Sequence, residues 1–151
     1  MDYEKFFSRE AIVVAEDLMG RILKTKKGNI VGQITQTGAY EGDNDAPSRR
    51  GMSYSPGTIF LMSYRGIQMF NIATDKEEFP SCVEIKEIDS PGKGRITGAG
   101  KITNYLGLKG LDGTPLEKAV EIFGEPFPKS KIQLTEGKAN NCLAYFEIKR
   151  V

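Results

Sequence analysis

The sequence predicts an α+β fold: a mixed, mostly antiparallel β-sheet with a few peripheral helices. Strand-length apolar runs outnumber helical ones, the connections between them are short, and turn residues such as Gly and Asn separate them. The chain has 151 residues, of which 39% are hydrophobic and 27% charged. This length and composition indicate one globular domain spanning residues 1–151.

Three helices are predicted. The first is capped by Ser8 and ended by Gly20. Its apolar residues recur at helical spacing and are Ile12, Val13, Ala15, Leu18 and Met19. A short second helix is expected over residues 101–108. The third begins at residues 114–117, which read as a capping box with an early proline, and runs to about residue 123.

The other regular elements are predicted as strands. They cover residues 21–25, 30–37, 58–64, 67–73, 82–88, 131–135 and 142–149. Arg65-Gly66 is expected to form the turn between the strands at 58–64 and 67–73. Residues 90–100 are predicted to be a Gly-rich link. Residues 41–57 are predicted to form a long polar loop, which in a compact domain is usually functional or disordered.

Composition excludes several classes of function. Histidine is absent, so no Ser-His or Cys-His arrangement and no common zinc site is available. Cys82 and Cys142 lie far apart in apolar runs, where buried free thiols are the expectation. The N-terminus lacks the apolar segment of a signal peptide, and no apolar run approaches about 20 residues. We therefore expect a soluble intracellular protein of the cytoplasm, nucleoid or nucleus.

Three local patterns suggest chemistry, each beside a simpler alternative. Gly98 to Lys101 precede a predicted helix and could bind an anion, or could be a turn with an ordinary surface lysine. A cluster of carboxylates and arginines in the long loop could bind a cation or activate water, or could form solvated ion pairs; its members are Glu41, Asp43, Asp45, Arg49 and Arg50. Aromatic residues near arginine suit stacking on bases, or packing in the core; they are Tyr40, Tyr54 and Tyr64, beside Arg65.

Gln36-Thr37-Gly38-Ala39-Tyr40 is similar to a Glu-Thr-Glu-Ala-Tyr strand, and this segment, taken in order with others, resembles the alkyladenine (3-methyladenine) DNA glycosylase family. Further segments of similarity lie at residues 6–7, 14–20, 45–49, 56–58, 64–71, 83–90 and 98–102. The resemblance extends from about residue 6 to residue 110 and weakens after that.

The resemblance implies a base-flipping enzyme whose partner is double-stranded DNA with a damaged purine. It implies no cofactor, and we expect a monomer. Tyr64 matches the intercalating tyrosine, Tyr40 the aromatic beneath the flipped base, and Asn71 the asparagine that discriminates against normal purines. Lys86 replaces an arginine that supports the pocket. Contacts to the DNA backbone are expected from Arg65, Gly98 and Lys101.

The sequence departs from the family pattern in the same pocket. Gly38 stands where the family keeps the glutamate that activates water, and Gln36 replaces the first glutamate of that strand. Arg49 replaces a histidine that contacts the base, and Met62 replaces a second stacking aromatic if a one-residue gap is allowed. Glycine supplies no base, and loss of a general base lowers a rate roughly 10²–10⁴-fold.

Three hypotheses remain open on the sequence. The protein is a glycosylase restricted to cationic alkylpurines, a catalytically silent relative that binds DNA, or an unrelated small-molecule or protein-binding domain on a similar scaffold. The near-neutral net charge of +1 gives no general basic surface, so DNA affinity would come from local patches. Glu41 or Asp43 could replace the lost base, but Glu41 follows Tyr40 and would face the other side of a continuous strand.

Overall fold

A computed structural model of the chain describes residues 1–41, 54–76, 79–137 and 142–150. Within these ranges, nine strands form one open sheet, and every pairing between them is antiparallel. The strands are β1 Ile22–Thr25, β2 Val31–Glu41, β3 Ile59–Tyr64, β4 Ile67–Ala73, β5 Ser81–Ser90, β6 Gly94–Thr97, β7 Val120–Phe123, β8 Ile132–Glu136 and β9 Cys142–Ile148. The helices are α1 Tyr3–Phe7, α2 Ala11–Leu18 and α3 Ala99–Leu106. The predicted α+β fold with peripheral helices is confirmed.

The strand order is β3-β4-β5-β2-β1-β7, with β6 beside β5, and β9 beside β2 followed by β8. One face of this sheet carries the main hydrophobic core and packs against α2 and α3. This core is formed by the helices and by strand residues whose side chains point towards them. The strand residues include Ile34, Ala39, Phe70, Ile72, Val83, Ile85, Ala144 and Phe146. Each large apolar side chain buried there contributes about 1.5–3 kcal/mol.

Strand alternation assigns the opposite positions to the other side of the sheet, which we call the outer face. On β2, the hydroxyl of Thr37 donates a hydrogen bond of 2.8 Å to the carbonyl oxygen of Ala15 in α2. Thr37 and Ala39 therefore point towards the helices. Because successive side chains of a strand alternate, Gly38 and Tyr40 belong to the outer face.

The prediction of a helix beginning at residues 114–117 is wrong. After Pro115, Leu116–Lys118 form a single 3₁₀ turn, and Val120–Phe123 continue as β7. β7 pairs with β1 along its length, and its residues are alternately buried and exposed. The free edge of β1 offers backbone hydrogen bonds to this segment, and this non-local pairing outweighs the local capping signal.

Ser8 does not cap the first long helix. It ends α1, where its backbone N–H donates to the carbonyl oxygen of Glu4. α2 starts three residues later, after Glu10, without a side-chain cap. The predicted Gly-rich link at 90–100 is also corrected, since Gly94–Thr97 form β6 and pair with the end of β5. β2 extends to Glu41, four residues beyond the predicted end.

Cys82 and Cys142 are buried free thiols, as predicted. In the part of the chain that the structure describes, no helix is long and apolar enough to cross a membrane.

Glu87 on β5 ties together three separate segments. One carboxylate oxygen accepts hydrogen bonds from Thr35 at 2.7 Å and Arg150 at 2.6 Å, and the other accepts one from Thr97 at 2.8 Å. Burial raises the pKa of this carboxyl, but the hydrogen bonds from Thr35, Thr97 and Arg150 outweigh it and hold the pKa below its usual 4.5. The ionised form is therefore part of the stable fold.

This lowered pKa predicts acid lability. A carboxyl whose pKa is lower in the folded than in the unfolded state stabilises the fold above the unfolded pKa, and this stability is lost as pH falls through the folded pKa. We expect the free energy of unfolding, measured by urea titration, to fall as pH drops below about 4.5.

Glu87→Gln should lower the free energy of unfolding at pH 7 by about 1–3 kcal/mol and reduce its pH dependence. The pH dependence that remains in this variant should come from Asp17, whose pKa is also lowered. An unchanged pH dependence in Glu87→Gln would contradict this role.

Candidate functional site

One row of side chains crosses five strands on the outer face. The register places Gly38 of β2 opposite Glu84 of β5 on one side and opposite Tyr145 of β9 on the other. Glu84 is in turn opposite Asn71 of β4, and Asn71 is opposite Phe60 of β3. Directly opposite residues of antiparallel strands share a face, with Cβ atoms about 4.5–5.5 Å apart. The row therefore brings together residues from distant parts of the sequence.

A second apolar cluster, separate from the main core, surrounds this row. Its buried members are Tyr40, Phe60, Cys82 and Cys142, and Tyr54, Met62 and Tyr145 pack against it. Tyr40 is 8% exposed, and its ring meets that of Tyr145 edge-on with centroids 6.5 Å apart. Burial raises the pKa of Tyr40, and the negative charge of Glu84 and a hydrogen bond with Tyr145 raise it further. Its hydroxyl therefore remains protonated at neutral pH.

Asn71 is almost fully buried within this face. Its amide Nδ2 donates to the carbonyl oxygen of Met69 at 3.1 Å, and its Oδ1 accepts a hydrogen bond from the Cys82 thiol at 3.4 Å. These two bonds fix the orientation of the side-chain amide, with Nδ2 towards Met69 and Oδ1 towards Cys82. Asn71 thus lies beside Glu84 and Cys82 on the outer face.

Glu84 and Lys86 form an ion pair on the outer face. Lys86 Nζ lies 2.7 Å from Glu84 Oε1 and 4.7 Å from the centroid of the Tyr145 ring. The Glu84 side chain is only 9% exposed. No motif in the sequence points to Glu84. The one signal is a charged residue between the apolar Val83 and Ile85 of a strand, a position that burial would make unusual for a glutamate.

The space beside Gly38 is already occupied. A Cβ atom at this position would lie 3.1 Å from Tyr40 Cε2, 3.3 Å from Lys86 Cδ and 3.3 Å from Tyr145 Cδ1. These contacts are tight, so any side chain here would displace the lysine stem or the two rings. The glycine allows this close packing of Tyr40, Lys86 and Tyr145.

The β3–β4 hairpin projects the predicted intercalating residue. Its two-residue turn has Arg65 at φ 51° and Gly66 at φ 80°, as tight hairpin turns require. Tyr64 immediately before the turn is 57% exposed, and the Arg65 guanidinium lies 5.2 Å from the centre of its ring. The Tyr64 ring at the hairpin tip is therefore accessible to a binding partner, and the positive charge of Arg65 beside it favours a negatively charged one.

A basic groove begins where α3 begins. Gly98 precedes α3 with φ 115°, and its N–H donates to the carbonyl oxygen of Lys86 at 2.7 Å. Lys101 is exposed and lines a groove of about 560 Å³ together with Lys93 and Arg95. Three cations beside a helix start favour an anion such as a phosphate.

The structure brings most of the predicted residues into two groups. Gly38, Tyr40, Asn71 and Lys86 lie on the outer face, and Met62 packs against its apolar cluster. Tyr64 and Arg65 occupy the hairpin tip, and Gly98 and Lys101 occupy the start of α3. Arg49, Asp43 and Asp45 lie outside the described residues. Glu41 is exposed at the end of β2, next to the buried Tyr40.

Comparison with known proteins defines the class. A model of the methylpurine-DNA glycosylase (MPG) family matches residues 5–138. A protein of Sodalis glossinidius is 30% identical over 115 residues, which cover 68% of this chain and 66% of that protein. One of Myxococcus xanthus is 28% identical over 121 residues, covering 70% and 62%. One of Prosthecochloris aestuarii is 30% identical over 159 residues, covering 91% and 76%.

All three relatives are named as candidate 3-methyladenine DNA glycosylases. The chain spans slightly less than two thirds of the Sodalis and Myxococcus proteins. The class that these matches define is the DNA glycosylases for alkylated bases. The chain belongs to the methylpurine-DNA glycosylase family.

The contact between the hairpin and α3 yields a stability prediction. A Cβ at Gly100 would collide with Cγ2 of Ile67 on β4. We expect Gly100→Ala to destabilise the fold by about 1–3 kcal/mol through overpacking, less the gain in helix propensity. In the Ile67→Ala background the collision is absent, so the same substitution should be neutral or stabilising. Urea denaturation of the four proteins checks this, and equal losses in both backgrounds would contradict the contact.

Proposed function

We propose that the protein recognises an alkylated purine in double-stranded DNA, receives it on the outer face after base flipping, and releases cationic alkylpurines only slowly. The observation that carries this proposal is the outer face itself. Tyr40, Asn71 and Lys86 come from three strands and are distant in sequence, yet they lie together on this face. These are the positions that the family resemblance assigns to base recognition.

Reaching a base inside a duplex requires its extrusion, because the glycosidic bond is shielded by stacking. The exposed Tyr64 at a tight hairpin tip supports a wedge that occupies the vacated space. Arg65 next to it adds positive charge. Ile67 of the same hairpin contacts Gly100 in α3, so the tip is held near the basic groove. Wedge and phosphate-binding groups would thus act on one stretch of duplex.

The predicted chemistry is limited by Gly38. A purine methylated at N3 or N7 carries a positive charge, so it leaves without being protonated first. A neutral lesion such as hypoxanthine needs more help from the enzyme. Because glycine offers no carboxylate, we propose that neutral lesions are left intact and cationic ones are released at a reduced rate.

The role of Lys101 is tested by salt dependence. Each phosphate contact contributes about one unit to the slope of log affinity against log salt concentration. Lys101→Ala should therefore weaken binding to damaged and undamaged duplexes alike and lower the slope by about 1. Fluorescence anisotropy at several salt concentrations measures both. Lys5→Ala, in α1 on the helix side of the sheet, is the matched control and should change neither. A slope unaltered in Lys101→Ala would exclude the phosphate contact.

The proposed substrate range is tested by base release. Duplexes carrying 3-methyladenine, 7-methylguanine, ethenoadenine or hypoxanthine are incubated with an excess of protein, and the abasic product is measured. We expect release of the two cationic bases, with neutral lesions slower by at least about 10²-fold. Efficient hypoxanthine release would refute the restriction. Binding to damaged duplexes without any release would identify a catalytically silent DNA-binding member.

Gly38→Glu belongs in the same experiment. It returns a carboxylate to β2, but Lys86 and Tyr145 must move to admit it, so thermal stability is measured in parallel. A folded Gly38→Glu protein should still bind the damaged duplex. If it binds no duplex at all, the placement of the base on this face is wrong.

A further inference from the structure

A buried carboxylate lies directly beside the position that has lost one. Glu84 on β5 is the cross-strand partner of Gly38, and its side chain is 9% exposed. Cβ atoms at directly opposite positions are about 4.5–5.5 Å apart, which a glutamate side chain can span. Glu84 can therefore deliver a carboxylate to the part of the outer face that a residue at position 38 would reach.

We propose that Glu84 is the carboxylate behind the slow release of cationic alkylpurines: it orients and deprotonates the attacking water from β5, less effectively than a carboxylate at position 38 would. The proposal rests on the function proposed above and identifies the group that performs its hydrolytic step. Neither the resemblance nor the family match assigns a role to this position.

The packing around Gly38 favours a carboxylate that is supplied by the neighbouring strand, β5. Tyr40, Lys86 and Tyr145 already fill the space next to Gly38, so a carboxylate on β2 would require these groups to rearrange. A carboxylate on β5 requires no rearrangement. The absence of a side chain at position 38 and the presence of an acid at position 84 are thus compatible features of one packed site.

The charges around Glu84 also suit the reaction. Lys86 pairs with Oε1 at 2.7 Å and holds the side chain in place. A carboxylate has a second oxygen that can accept a hydrogen bond from water. The charge of Glu84 is felt at Tyr40, where it contributes to the raised pKa of the hydroxyl. A negative charge beside the stacking aromatic attracts a cationic base and the positive charge that develops on the sugar.

The step balances without a further reactant. The bond between C1′ of the sugar and the purine nitrogen breaks, and its electron pair goes to the purine, which neutralises the positive charge of the alkylated base. The oxygen of water forms a bond to C1′. The proton of that water passes to the Glu84 carboxylate and then to solvent. The products are the free alkylpurine and an abasic site.

Other charged groups of the sheet fit this role less well. Glu87, on the same strand, accepts hydrogen bonds from Thr35, Thr97 and Arg150, which occupy both of its oxygens. Glu147 of β9 accepts a hydrogen bond from Gln36 at 2.8 Å and is exposed. Glu147 therefore provides a matched control, since it is a carboxylate two residues from Tyr145 on β9.

The test is single-turnover base release from a duplex carrying 7-methylguanine, compared with affinity for the same duplex. Glu84→Gln keeps the shape and removes the charge. We expect its rate constant to fall by about 10²–10⁴-fold while affinity changes only a few-fold. Glu147→Gln should match the wild type in both measurements. A rate within twofold of the wild type in a folded Glu84→Gln protein overturns the role of Glu84 and leaves the proposed function intact.

Because Glu84→Gln leaves Lys86 without its partner, a second comparison excludes a purely structural effect. Lys86→Met and Glu84→Gln/Lys86→Met both lack the ion pair and differ only in the carboxylate. If Glu84 acts on water, the double variant is slower than Lys86→Met by a similar 10²–10⁴-fold factor. Equal rates in these two variants show that Glu84 only holds Lys86, and overturn the proposal.

The wild-type result separates this proposal from the one on which it rests. Wild-type protein that binds the damaged duplex but releases no base overturns the role of Glu84, while recognition of the lesion stands. Wild-type protein that neither prefers the damaged duplex nor releases base overturns the proposed function itself.

Discussion

The register between β2 and its two neighbours is the constraint on which the site depends. β2 lies between β5 and β9, so each of its outer-face residues has a partner on both sides. A slip of one residue would move every side chain of a strand to the opposite face. The main core prevents this slip, because Ala39, Val83, Ile85 and Phe146 must remain buried against the helices. The positions of Gly38 and Glu84 on the outer face are therefore set by apolar packing on the inner one.

The two buried acids of β5, Glu84 and Glu87, differ in what surrounds them. Glu87 has hydroxyl and guanidinium donors on both oxygens, which offset the free energy lost by removing a charge from water. Glu84 is paired with a single lysine and lies among tyrosines, next to a glycine. The same strand thus anchors the sheet at one end and, nearer its start, places a buried carboxylate on the outer face.

Much of the fold could be predicted from the sequence because its elements have local signals. Strand-length apolar runs located β3 and β4, and Arg65-Gly66 indicated the turn between them. The errors occurred where a long-range partner decided the outcome. Val120–Phe123 follow a helical start signal at residues 114–117, yet they form a strand because they pair with the free edge of β1. β6 was missed because a glycine-rich segment becomes a strand only when β5 provides the hydrogen bonds.

The sequence by itself determined the fold class, the absence of a carboxylate at Gly38, and the identity of Tyr40, Tyr64 and Lys101 as candidate contacts. The tertiary structure decided which residue lies beside that glycine. Position 84 is far from position 38 along the chain, and no periodicity within either segment relates the two. Their adjacency arises only when β2 and β5 pair across the sheet and bury a common core, because hydrogen bonding between strands joins residues irrespective of their separation in sequence.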